Sequence, residues 1–211
     1  MSFADYAGLQ DEIAKWSIRV GDTDFEAAIP GFILLAEGMF NFGTGDLPQI
    51  RVREMEETAP ISVTAGAGNL PADYLEYREV RNEQGDVLEA TTTSSADFRF
   101  AQNVQGRVAE FAIKGLTIKV YPASTETTSI DYYQKIPALS DIANTNWLLA
   151  KQPMAYLFGS MIFAATYMED EAGIARYGNL YTQAVGGLVK SDTRSKYIRA
   201  VSRSRTRGCM P

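Results

Sequence analysis

The side chains in this chain whose spacing most readily suggests chemistry are carboxylates. "REMEE" groups Glu54, Glu56 and Glu57, and "MEDE" groups Glu169, Asp170 and Glu171. Paired carboxylates can serve as an acid and a base, or hold a divalent ion, if the fold makes them converge. The first cluster reads more simply as a solvated strand start. The second reads as a helix junction, where acidic side chains favour the N-terminus of the following helix through its dipole. The chain has no histidine, which removes the commonest general base, the usual partner of a catalytic serine or cysteine, and the commonest metal ligand. "GTGD" (Gly43 to Asp46) and "TAGAGN" (Thr64 to Asn69) are glycine-rich, yet no Lys-Ser or Lys-Thr follows either, so turns explain them better than a phosphate cradle. The one cysteine, Cys209, can form neither an intrachain disulfide nor a thiolate cluster, which fits a reducing compartment and a spectator thiol. No residue is assigned a catalytic, cofactor-binding or metal-binding role.

Charge is the stronger signal. From Lys190 onward seven cations (Lys190, Arg194, Lys196, Arg199, Arg203, Arg205 and Arg207) face one anion, Asp192, so this segment is +6 and residues 1–189 are −12 within a total of −6. A basic, serine-rich end on an acidic body points to an interaction arm, because the body itself would repel nucleic acid and anionic lipid. Tyr132 and Tyr133 in "DYYQK" fall on opposite faces of a strand. Tyrosines on a sheet can stack on bases, but such platforms sit in cationic grooves, so packing is the better reading here.

These groups need elements to position them. At 211 residues and 45% hydrophobic content the chain can close a core, as one domain or one domain with an insertion. Ser2 with Asp5 reads as a cap, followed by Tyr6, Leu9, Ile13 and Trp16 at helical spacing. Phe25 to Ile29 reads as a short turn, and Pro30 as the first residue of a separate helix with Phe32, Ile33, Leu35, Ala36, Met39 and Phe40 on its apolar face. From residue 50 the period becomes alternating: Leu116, Ile118 and Val120 face one way in "GLTIKVYP". "YLEYREVR" and "VLEATTT", joined by "NEQGD", read as a hairpin, and five or six strands are expected by residue 134. Helix returns with Asp141 or Thr145 as its cap and Pro153 as an interior start. "QPMAYLFGSMIFAATYM" (Gln152 to Met168) is at the lower limit for crossing a bilayer, and a buried central helix is the better reading. A last helix from about Glu171 carries Ile174, Tyr177, Tyr181, Val185 and Leu188 on one stripe, weakened by Gly178, Gly186 and Gly187. The opening "MSFADYAGLQDE" lacks the basic start and apolar centre of a secretory signal.

The pattern is α+β: an antiparallel helical bundle (1–49 and 135–190) whose chain detours through an inserted β-rich domain (50–134), then an extended basic C-terminal arm (191–211). "IPGFILLAEGMFN", "RVREME", "LPADYLEYREV", "DYYQKIPALSD" and "TNWLLAKQPMAYLFGSMIFAATYMED", in this order over residues 3–190, resemble the head-to-tail adaptor (connector) family of tailed bacteriophages. Two features depart from that pattern: "GTGDLPQI" precedes "RVREME", and the segment beyond 190 matches no fixed motif.

The resemblance implies a structural virion protein, made in the host cytoplasm and placed in the neck. Its partners would be the portal protein, further copies of itself in a homododecameric ring, and a tail or nozzle protein below. DNA would pass through the channel without sequence-specific binding, and no membrane or cofactor is implied. The arm would dock on the portal through Arg194, Lys196, Tyr197, Arg199, Arg203, Arg205 and Arg207. Arginine suits this because its planar fork pairs bidentately with carboxylates. Alternatives are another neck or tail-completion component or, less favoured, a nucleic-acid-binding module using the arm. An enzyme acting through Glu54, Glu56 and Glu57 is the remaining class, with no substrate to suggest.

Overall fold

A computed structural model describes residue 3, residues 5–100 and residues 106–197, with no side-chain detail for 195–197. It has both helices and sheets, as an α+β chain should. The chain divides into two compact units, one made of residues 1–52 and 139–211 and the other of residues 53–138.

The first unit is helical. Helix α1 (Tyr6–Trp16) is capped by Asp5, whose carboxylate accepts from the Gly8 amide at 2.8 Å. The cap is thus Asp5 itself, and Ser2 lies outside the described residues. Helix α2 (Thr23–Phe42) is a single element with Pro30 in its interior, not a turn followed by a new helix. One missing N–H does not break it, because Phe25, Ile29, Phe32 and Ile33 on either side are all buried and hold the turns together. Leu35, expected on the apolar face, is 54% exposed. After the short α4 (Trp147–Lys151), capped by Asn146 rather than Asp141 or Thr145, the chain forms α5 (Pro153–Tyr167), with Pro153 at its first turn. There the absent N–H is one that would have no intrahelical partner.

Helix α5 is the centre of this unit, in contact with α1, α2, α4 and the final helix α6 (Glu171–Tyr197). It is buried nearly all round. Phe40 of α2 lies edge-on to Tyr156 with centroids 5.0 Å apart and stacks on Tyr181 of α6 at 5.8 Å. The approach depends on Gly159, where a Cβ would come within 2.7 Å of the Phe40 ring. By length and composition α2 could also cross a bilayer, but half of its apolar window is buried within the protein. Helix α6 does not stop at 190. It continues through Gly186 and Gly187 to Tyr197 because Tyr181, Val185 and Leu188 anchor the turns around the glycines, while the cations Lys190 and Arg194 suit a helix C-terminal end.

Among the described residues the second unit has seven strands, one α-helix and a 3-10 turn at Arg53–Met55. One sheet has the order β1-β7-β3, antiparallel throughout, from β1 (Glu56–Val63), β3 (Tyr74–Arg81) and β7 (Glu126–Gln134). The other has the order β2-β6-β5-β4, from β2 (Ala67–Asn69), β4 (Glu89–Ala90), β5 (Glu110–Lys114) and β6 (Thr117–Tyr121). Ile61, Val63, Val80 and Ile130 of the first sheet share one core with Phe111, Ile118 and Val120 of the second. The expected hairpin after β3 forms only at its turn end. "NEQGD" turns, with Asn82 Oδ1 accepting from the Gln84 and Asp86 amides; Arg81 and Val87 bridge antiparallel, and the Leu88 amide donates to the Val80 carbonyl at 2.8 Å. The chain then joins β5 in parallel, and "TTT" leads into α3 (Thr93–Arg99) with Thr92 as its cap. Leu116 lies at the β5–β6 turn beside Gly115 and is 56% exposed, whereas Ile118 and Val120 are buried as the alternation requires.

Candidate interaction surface

Two of the carboxylates singled out in the sequence, Glu56 and Asp170, serve the fold. Glu56 opens β1 and pairs with Arg78 of β3, whose guanidinium also lies 5.3 Å from the centre of the Tyr133 ring. Asp170 caps α6, its carboxylate accepting from the Gly173 amide at 2.9 Å. Among the described residues no group of three His, Cys, Asp or Glu side chains is placed to hold a metal ion. Each glycine-rich stretch contains a turn, the second leading straight into β2. Thr64 and Ala67 exchange backbone hydrogen bonds around Ala65 and Gly66, both at positive φ, and Thr44 bridges Leu47 around Gly45.

The tyrosines of β7 divide as the alternation requires. Tyr132 is buried and donates to Asp73 Oδ1 at 3.1 Å. Burial, and then that carboxylate, raises its phenol to about 12. In the same unit Tyr121 donates to Asp97 Oδ1 at 2.8 Å and is likewise raised, chiefly by burial, to about 12. Neither ring is available to stack on a ligand.

Glu37 escaped notice in the sequence. It sits in the middle of α2, 4% exposed, and its Oε1 accepts from the Leu139 amide at 2.7 Å and the Tyr156 hydroxyl at 3.1 Å. Asn146 donates to the same hydroxyl at 2.6 Å while its Oδ1 caps α4 through the Leu149 amide. Burial raises the carboxyl above its ordinary value, against the lowering effect of both hydrogen bonds. The network pins the segment returning to the helical unit at Leu139 onto α2. Its partners are about a hundred residues apart, so no local pattern could reveal it.

The expected docking residues fall at the end of α6. Arg194 is exposed on the helix. Lys196 and Tyr197 belong to its last turn, with side chains outside the description, and Arg199, Arg203, Arg205, Arg207 and Cys209 lie outside the described residues. The helix therefore extends seven residues into the segment read as an arm from residue 191.

The outside of α2 is a surface that sequence reasoning missed. Leu34, Leu35 and Phe42 are 66%, 54% and 65% exposed. The signal was present: from Ala27 to Gly45 the only charged residue is Glu37, so once Glu37 is buried the exposed side must be neutral.

Exposed apolar residues on the helical unit, ion pairs on the surface of the β unit and a cationic final segment are features that suit a structural protein which meets partners, and the family match defines the class as adaptor proteins. The chain belongs to the SU10 adaptor protein family, whose model matches residues 4–207. This is a phage head-to-tail adaptor family, so the protein is a phage adaptor, a structural virion component that interacts with other virion proteins. The match continues past residue 190, where the recognisable motifs end, and takes in the cationic segment. No curated protein matches the chain.

Proposed function

We propose that this adaptor forms a homododecameric ring in the neck of the particle, below the portal and above a tail or nozzle protein. DNA passes through the channel without sequence-specific contacts. The helical unit acts as a bundle carrying the inserted β domain, and the segment from Arg194 to Arg207 docks on the portal. The observation that carries this reading is a family match that spans the whole body and the cationic segment together. An acidic body of −12 suits a channel through which a polyanion must slide. Each docking segment loses conformational entropy on binding, and a ring that presents many at once recovers the affinity as avidity.

The test removes residues 198–211 from the full chain and leaves α6 whole. The truncated protein stays soluble with an unchanged melting midpoint and is no longer captured by portal rings. Capture at wild-type level would overturn the docking role. A gel shift of double-stranded DNA by the intact protein at physiological salt would instead favour the nucleic-acid module, since a phosphate-binding arm binds without a portal and weakens steeply with salt.

A further inference from the structure

A ring in which each subunit touches the next head to tail needs two different surfaces that fit each other, because a surface that pairs with itself stops at a dimer. The helical unit offers two. The first is the outer side of α2, where Ala27, Gly31, Leu34, Leu35, Gly38 and Phe42 are all exposed at helical spacing. At Gly31 and Gly38 nothing lies within 4 Å of where a Cβ would sit, so a partner's backbone can approach on either side of the Leu34–Leu35 ridge. The second is a groove of about 480 Å³ lined by Leu47, Ile162, Ile174, Ala175, Gly178 and Thr182, together with Asp46 and Asn179.

We propose that the α2 ridge of one subunit seats in this groove of a second copy, so that one seam, repeated, joins the ring. The inference rests on the ring reading above. Charge selects the occupant. Two bodies of −12 each repel wherever their carboxylates meet, and the ridge has no exposed charge from Ala27 to Gly45 while the groove has one carboxylate, Asp46. Joining them buries no like-charge pair. A nucleic acid would find no cation on either surface, and an arginine-rich partner would find one acid.

Area gives a second consequence. The ridge from Ala27 to Phe42 is about 24 Å long and about 10 Å wide, a footprint of roughly 240 Å². That is about a third of the ~800 Å² per partner of a stable interface. A single seam is too small to hold two subunits at micromolar concentration. The free chain is therefore monomeric, and the seam forms where a partner ring brings neighbours together and every subunit has two.

The experiment uses the full chain with Cys209→Ser and assembled particles. In the double variant Leu34→Cys with Thr182→Cys, both at exposed positions, mild oxidation of particles yields a ladder of adaptor multimers, and each single variant yields none. Separately, Leu34→Asp lowers adaptor incorporation into particles at least tenfold with an unchanged melting midpoint. A dimer band from Leu34→Cys alone would mean that α2 pairs with itself and would overturn the seam. So would multicopy particles, counted by native mass, in which the double variant gives no ladder; the ring reading would survive that result. A single adaptor copy per particle would sink both.

Discussion

The two units solve burial in opposite ways. The β unit buries its aliphatic residues between two sheets and faces solvent with ion pairs: Glu56 with Arg78, Glu79 with Arg81, Asp86 with Arg107, and Glu110 with Arg99. The helical unit wraps its elements around α5, places the carboxylates of Glu37 and Asp192 inside and leaves Leu34, Leu35 and Phe42 outside. The β unit keeps its charges at the surface and exposes apolar groups one at a time, at Val87, Phe98 and Leu116, while the helical unit buries carboxylates and gathers exposed apolar groups along one side of one helix. The lesson is that exposed apolar residues are tolerated where a partner covers them, and that a buried charge is tolerated where hydrogen bonds converge on it.

The contrast predicts where substitutions hurt most. Phe40 is fully buried between Tyr156 and Tyr181, so Phe40→Ala removes the contacts of two aromatic neighbours and leaves a cavity. The expected cost is about 3–5 kcal/mol, read as an early loss of helical signal in urea. Amide protection in β1 and β7, followed by hydrogen exchange, shows whether the units unfold separately. If Phe40→Ala costs under about 1 kcal/mol, α5 is not the centre of the helical core. Gly159→Ala comes next at about 1–3 kcal/mol, because the added methyl meets Phe40 at 2.7 Å in a packed core with little room to yield.

These sites also show what could be read from the chain. Leu9 and Ile13, Ile118 and Val120, and the start of α5 at Pro153 follow from local rules of period and backbone chemistry, and they were legible. Pro30 misled because burial on both sides outweighs a local penalty. The switch of the chain from β3 to β4 was hidden because strand pairing is a non-local choice; β4 pairs Glu89 with Glu110 of β5. The candidate surface was half legible. The cations were countable in the sequence, but the exposure of Leu34 and Leu35 depends on which side of α2 meets α5, and an uncharged helix does not declare that.

Glu37 tests the inner half of the contrast. Its folded pKa is raised above the ordinary 4.5 chiefly by burial, so the native state holds the proton to higher pH than the unfolded chain does. Stability from this group is fully present below 4.5 and is lost as pH rises through the raised value. Glu37→Gln keeps an acceptor for Leu139 and Tyr156 and removes the charge. Relative to the variant, the wild type therefore loses stability on going from pH 4.5 upward, with a slope of at most about 1.4 kcal/mol per pH unit, the limit for one proton. Urea midpoints of the two proteins across that range check the sign. Parallel curves would mean that the carboxyl is not buried in solution.

The outer half of the contrast makes the smallest prediction. Arg99 grips Glu110 with two nitrogens, each 2.7 Å from a carboxylate oxygen, and also reaches the Thr91 hydroxyl at 2.9 Å. Its side chain remains 49% exposed while that of Glu110 is 12% exposed, so water and salt screen the pair from the arginine side. Arg99→Ala should cost about 0.5–1 kcal/mol in low salt and less in molar salt, where the screening length falls to about 3 Å. The bidentate geometry puts the value at the upper end of the surface range. A loss above about 2 kcal/mol that is insensitive to salt would show that the charged exterior of the β unit carries its stability, and the division between the units would fail on that side.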